Sequence, residues 1–320
     1  MVSMKNIADA LNLSRCTVSN ILNNKLEGKS YKKETIEMVL DKAKEMGYIT
    51  NNIAKSLKTG STRTIALVVP DISNAFYIRI IKETEILAYA ADYSLIVCIA
   101  EELLEKEEKI LEMLASRMVD GVLISPVSST HSLQRNYPFK IVCFDRTVTN
   151  NAFSSVLIDN EAASEQLILK MLEKDIKNPL FLLTSKDDYT VKCRLNAALK
   201  TLRLNHIETG PSNIIYDVYD SEKSYQKLKV LLDGQYTQFD SIVLSTNFCI
   251  YGVLKILEER KLSMKAIGGF ENFEGSDFIG KEVIKVLQPE KEIAAHAFHA
   301  LLELLENNTP TSIVLDTILD

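Results

Sequence analysis

No apolar run in these 320 residues approaches the roughly 20 that a helical membrane span requires; the longest, 64–70 and 94–100, have the length of strands. The N-terminal stretch MVSMKNIADALN carries Asp9, no long apolar region and no small-residue cleavage site, so a secretory leader is not expected. The expectation is a cytoplasmic protein with no membrane partner. Cysteine is sparse: Cys16, Cys98, Cys143, Cys193 and Cys249 are odd in number and never spaced C-x-x-C, which argues against both a disulfide framework and a zinc site. Glycine is missing from the turn between Pro70 and Tyr77, where a phosphate-cradling G-x-G-x-x-G loop would lie, and neither a P-loop nor a G-x-S-x-G elbow appears. His296 and His299 stand three apart on one expected helix, without the carboxylate or thiolate spacing that would complete a metal site. The acidic run 101–109 reads as a solvated helix face. No metal, cofactor or catalysis is expected.

What is present is an ordinary globular composition, 46% hydrophobic, in a chain long enough for two or three domains. Its net charge of −6 conceals an asymmetry. Residues 1–60 hold nine Lys and one Arg against two Asp and four Glu, net +4, which leaves −10 for the remainder. A basic head on an acidic body is the distribution of a nucleic-acid reader joined to a module that does not touch nucleic acid.

The head, 1–47, reads as three short helices. Ser3 can cap the first (Met4 to about Leu11) and Ser14 the second (Arg15 to about Asn23), with Asn12 supplying a turn residue that tolerates positive φ. The third, about Lys33 to Met46, places Ile36, Val39, Leu40 and Ala43 on one face and stops at Gly47. This is a helix-turn-helix. A polar linker follows over 48–63, with a short helical candidate at Ile53 to Lys58. From Thr64 the chain alternates strand and helix in two similar series, which predicts an α/β body of two doubly wound parallel-sheet lobes. The N-lobe is expected over about 64–158 and 289–307, the C-lobe over about 159–288 and 308–320, ending in a single strand over about Ser312 to Leu319.

In a helix-turn-helix the second helix enters the major groove, so Arg15, Cys16, Thr17, Ser19 and Asn20 are the candidates to meet base edges, Arg15 pairing with guanine and Asn20 with adenine. Lys5, Lys29, Lys32 and Lys33 suit phosphates. The local pattern alone equally allows a polar helix face on a basic surface. The run from Ile7 to Asn23, IADALNLSRCTVSNILN, resembles the I-A-x-x-A-G-V-S-x-x-T-V-S-R-x-L-N signature of the lactose/galactose repressor (LacI/GalR) family, and Gly47-Tyr48-Ile49 with Asn51, Ala54 and Leu57 is similar to its linker. The resemblance implies DNA contacts at Lys5, Ser14, Arg15, Cys16, Thr17, Ser19, Asn20, Asn23, Tyr48, Asn51, Ala54, Leu57 and Lys58, the linker folding as a hinge helix whose Leu57 wedges into the minor groove. Asn20 stands where the family has Arg and Thr50 where it has Pro, and the loop 24–32 is about three residues longer than usual.

Carboxyl ends of parallel strands are where open α/β sheets bind ligands, and Asn74, Phe76, Asp145, Arg146, Asn247 and Glu271 gather there, each also readable as a cap or loop residue. The same resemblance extends over the body: Asp71-x-x-Asn74-Ala75-Phe76-Tyr77, Asp145-Arg146, Arg194 to Ala197, Ser245 to Phe248, Gly269-Phe270-Glu271 and Leu287-Gln288-Pro289 are similar to family motifs of the periplasmic-binding-protein type of body. It implies a ligand cleft lined by Asn74, Phe76, Tyr77, Asp145, Arg146, Arg194, Asn247, Phe248, Glu271 and Gln288, with Phe248 and Glu271 standing for Asp, and Ala197 for Gly. The implied function is a transcription regulator, a repressor, that binds a pseudo-palindromic double-stranded operator as a homodimer under control of a carbohydrate-derived small molecule. The alternatives left by the sequence are control by a protein corepressor, or a cytoplasmic sugar-binding protein without regulation.

Overall fold

The computed structural model describes residues 2–23, 31–48, 60–129, 133, 137–148, 153–234, 239–246, 249–270 and 283–320. The chain divides into two units, Met1–Thr62 and Arg63–Asp320.

In the first unit, α1 (Met4–Leu11), α2 (Arg15–Leu22) and α3 (Lys33–Glu45) enclose Ile7, Ala8, Val18, Ile21, Val39 and Ala43. Local chemistry sets each boundary. The Ser3 hydroxyl accepts from the Asn6 amide at 3.3 Å while the Ser3 amide donates to Asn6 Oδ1 at 2.9 Å, a reciprocal cap. Asn12 takes φ 52° and turns the chain, Ser14 Oγ accepts from the Thr17 amide at 3.0 Å to start α2, and Gly47 ends the third helix at φ 64°. The expected hinge helix at Ile53 to Lys58 lies outside the described residues.

The second unit holds two sheets of six strands. The first consists of β1 (Thr64–Val69), β2 (Ser94–Ile99), β3 (Gly121–Ile124), β4 (Lys140–Phe144), β5 (Ser154–Ile158) and β11 (Ser312–Leu315), in the order β11-β5-β4-β3-β1-β2 and parallel throughout. The second consists of β6 (Pro179–Leu182), β7 (Ile214–Ile215), β8 (Ser241–Leu244), β9 (Ala266–Phe270), β10 (Val283–Leu287) and β12 (Ile318–Leu319), in the order β12-β10-β9-β8-β6-β7. Among the described strands there, only β12 runs antiparallel to its neighbour. Continuous apolar strands such as 65–69 are buried because helices cover both faces. On the first sheet lie α4 (Ala75–Ala90), α5 (Leu104–Ser116) and α10 (Glu290–Asn307); on the second lie α6 (Asn160–Leu172), α7 (Tyr189–Leu204), α8 (Ser221–Asp233) and α9 (Ile250–Glu259).

The expected single terminal strand is two. Residues 312–315 extend the first sheet beside β5, and Ile318–Leu319 close the second beside β10. Asp316 and Thr317 interrupt the apolar run, and two-residue periodicity carries no information about which sheet a strand joins. The chain therefore passes between the lobes three times, at 158–160, 287–290 and 315–318. Both sheets reverse their order of growth beside their first strand, between β1 and β3 and between β6 and β8, which are the points where such sheets leave a crevice at their carboxyl ends.

Candidate functional site

Those carboxyl ends line one cleft with about 600 Å³ of empty space. Asp71, Asn74, Phe76 and Tyr77 follow β1, Glu102 follows β2, and Asp145 and Arg146 follow β4; from the second sheet come Thr184, Asp188, Thr190, Val191 and Arg194 after β6, Tyr219 after β7, Ser245 and Thr246 after β8, and Gln288 after β10.

Arg146 lies at the centre, 8% exposed. Its Nη1 and Nη2 donate to the two oxygens of Glu102, each at 2.9 Å, and Nη2 also reaches Asp188 Oδ2 of the opposite lobe at 2.9 Å. Burial opposes the guanidinium charge, but Asp188, Tyr77 and Glu102 outweigh it and hold the group protonated well above its usual range. Burial likewise pushes Asp188 towards neutrality and is outweighed by Arg146 and by hydrogen bonds from Thr190 and Val191, so its carboxyl titrates below the usual range. Asp145 goes the other way: burial raises it despite Arg146, Arg194 and the Tyr77 hydroxyl, which donates to Asp145 Oδ2 at 2.8 Å. Asp145 also occupies the left-handed region at φ 60°, a conformation that costs a non-glycine residue about 1 kcal/mol or more.

Arg194 binds the passages between lobes. Its Nε donates to Asn160 Oδ1 at 2.7 Å and its Nη2 to Gln288 Oε1 at 3.2 Å, two residues that each sit in a crossing, while Nη1 donates to the Ser245 carbonyl at 3.0 Å. The guanidinium lies 3.7 Å above the Phe270 ring.

In the first unit, Lys5, Ser14, Arg15 and Cys16 are exposed and Thr17, Ser19, Asn20, Asn23 and Tyr48 half-buried. Ser14 and Thr17 form the start of α2, and Asn23 Nδ2 closes its end on the Ser19 carbonyl at 2.7 Å. Asn20 Nδ2 donates to Tyr31 Oη at 2.9 Å, which holds this side chain beside the entry to α3.

Residues 62–218 match the model for periplasmic binding proteins and the sugar-binding domain of the LacI family. The HTH-type transcriptional regulator RegA of Clostridium saccharobutylicum is 29% identical over 95% of this chain and 92% of its own length. The chain is similar to the LacI family of transcriptional regulators. Its fold is also that of the lac repressor dimer bound to operator and the anti-inducer ONPF, with a TM-score of 0.84 at 16% identity over 99% of this chain and 97% of that one. The Cra regulator from Pseudomonas putida in complex with fructose 1-phosphate aligns with a TM-score of 0.74 at 20% identity, over 81% and 98%.

Of the ligand residues expected from the sequence, Asn74, Phe76, Tyr77, Asp145, Arg146, Arg194 and Gln288 come together in the cleft; Asn247, Phe248 and Glu271 lie outside the described residues, as do the DNA candidates Lys29, Asn51, Ala54, Leu57 and Lys58. Several of those assembled serve the protein's own architecture: Asn74 caps α4 by accepting from the Phe76 amide at 2.8 Å, Tyr77 is bonded to Asp145, and Gln288 to Arg194. The sequence reading missed Glu102, Thr184, Asp188, Thr190, Val191 and Tyr219. It also misread the acidic run 101–109. Glu102 pairs with Arg146, and Glu107, 2% exposed, accepts from the Val127 amide at 2.8 Å. A charge pattern on a helix does not reveal which single member turns inward; the apolar Ile110, Leu111 and Leu114 of the same helix were the available signal.

Proposed function

We propose that this chain is a sequence-specific DNA-binding repressor, active as a homodimer in the cytoplasm, whose operator affinity is set by a sugar or sugar derivative in the cleft between its lobes, without catalysis. The observation that carries the reading is a polar cleft built from both lobes, with Arg194 tying its wall to two of the three interlobe crossings. A ligand that favours one lobe arrangement shifts the population towards it, and an effect of about 100-fold on operator affinity demands a matching 100-fold preference of the ligand between the two arrangements. Arg15 and Cys16 at the exposed start of α2 suit major-groove edges, and a two-fold dimer presents two such helices to two half-sites. The relatives lend support: they are regulators, one solved on its operator as a dimer, another holding a sugar phosphate.

The test is selection of binding sites from random duplex DNA, followed by titration of the selected site against salt, with and without sugars. A pseudo-palindrome, steep salt dependence and release or tightening by one sugar are the expected results. Failure to enrich any sequence, with or without ligands, refutes the DNA-binding reading.

A further inference from the structure

We propose that the cleft accepts an uncharged polyhydroxy compound and rejects its phosphorylated or carboxylated counterparts, an inference that rests on the effector reading above. Among the described lining residues four carboxyl groups, Asp71, Glu102, Asp145 and Asp188, stand against two guanidiniums. Neither guanidinium offers the open fork that a phosphate requires. Arg146 has both terminal nitrogens on carboxylates, and Arg194 spends its nitrogens on Asn160, the Ser245 carbonyl and Gln288. An anion entering here meets the buried Asp188 and the half-buried Glu102, two carboxylates whose charge the single Arg146 guanidinium offsets only in part.

Among the described residues three buried side-chain polar atoms have no partner, and two of them, Arg146 Nε and Thr246 Oγ1, belong to residues that line this cleft. Both residues are 8% exposed, and Asp145 Oδ2 lies 3.9 Å from Nε, beyond hydrogen-bond reach. Buried donors left unmet are costly, so they mark where a ligand atom completes the structure. A hydroxyl suits this arrangement because it accepts from Nε and donates onward to a carboxylate; a phosphate or carboxylate oxygen only accepts and leaves the acidic wall unanswered.

The test uses the full chain and matched probes: glucose with glucose 6-phosphate, fructose with fructose 1-phosphate, ribose with ribose 5-phosphate, and inorganic phosphate at constant ionic strength, each followed by calorimetric titration and thermal melting. The expected result is that an uncharged member binds the wild type at least about tenfold more tightly than its ester, that inorganic phosphate leaves the wild-type melting point unmoved, and that Glu102→Gln narrows the ratio about tenfold and gains a response to inorganic phosphate. Thr246→Val, checked for its fold by circular dichroism, should weaken the uncharged ligand about tenfold. A phosphate ester bound by the wild type as tightly as its parent overturns the inference, as does inorganic phosphate that stabilises the wild type, or a Glu102→Gln variant as indifferent to phosphate as the wild type. If operator binding is intact but no sugar of either kind binds, sugar control itself fails, and the inorganic phosphate series still decides the claim about charge.

Discussion

Replacing Asp188 with alanine removes two interactions from one position. Asp188 Oδ1 caps α7, accepting from the Thr190 amide and hydroxyl at 2.7 Å and from the Val191 amide at 3.3 Å, and Oδ2 pairs with Arg146 across the cleft at 2.9 Å. Loss of a cap costs about 1 kcal/mol. Breaking a buried ion pair costs about 3–5 kcal/mol, and the lower end applies here because Arg146 keeps Glu102, so with the cap the total is about 4 kcal/mol. Asp188→Asn keeps an oxygen for the cap and loses only the charge, which predicts a loss smaller by about 1 kcal/mol. The pH dependence separates the parts further. Because the folded-state value is held below the unfolded one, the charge contributes fully above about pH 4 and is lost as pH falls through the folded value. Equilibrium urea unfolding between pH 3 and pH 8, read by circular dichroism with the slope fitted, measures all of this. An Asp188→Ala variant within about 1 kcal/mol of wild type at pH 7 would refute the ion-pair assignment, and equal losses for Ala and Asn would refute the cap.

Glu107 titrates at about 7 because burial disfavours its charge, only partly offset by the Val127 amide and Arg146. The folded state then binds the extra proton, so stability falls as pH rises from about 4.5 to 7; Glu107→Gln should remove that slope and stabilise the protein at pH 8 by up to about 3 kcal/mol, and an unchanged urea midpoint at that pH would contradict it. At Gly252, a Cβ would stand 1.8 Å from the Ser221 carbonyl and 2.2 Å from Ser224 Oγ, so Gly252→Ala must part α9 from the start of α8, at a cost of about 3 kcal/mol or more, visible as a lowered melting temperature. Asn20→Arg should move base preference at its position from adenine towards guanine, and an operator profile identical to wild type in a binding selection would disprove its role in reading bases.

Features decided within a few residues were legible in the sequence. Ser3, Asn12 and Ser14 act where their chemistry places them, because caps and left-handed turns are local. Asp145, Arg146 and Asn74 were legible for a different reason: apolar strands of known direction mark their own carboxyl ends. Asp188 was not, since before a helix it reads only as a cap, and its pairing with Arg146 depends on the approach of a second lobe. Glu102 was hidden by backbone geometry: Glu101 and Glu102 adopt φ of 55° and 54°, a turn that their side chains do not announce, and it carries Glu102 inward. The splitting of 312–319 between sheets belongs with these, being a matter of partners and not of periodicity.

The three passages between the lobes also bear on how the body can come apart. Each lobe is assembled from chain segments that are not contiguous: α10 and β11 return to the first sheet after the second has been built, and β12 returns to the second after that. A protease cut at any one passage therefore leaves the lobes still joined covalently by the other two. The fragments would stay interlaced as strands of shared sheets, and neither lobe could be released intact by a single nick.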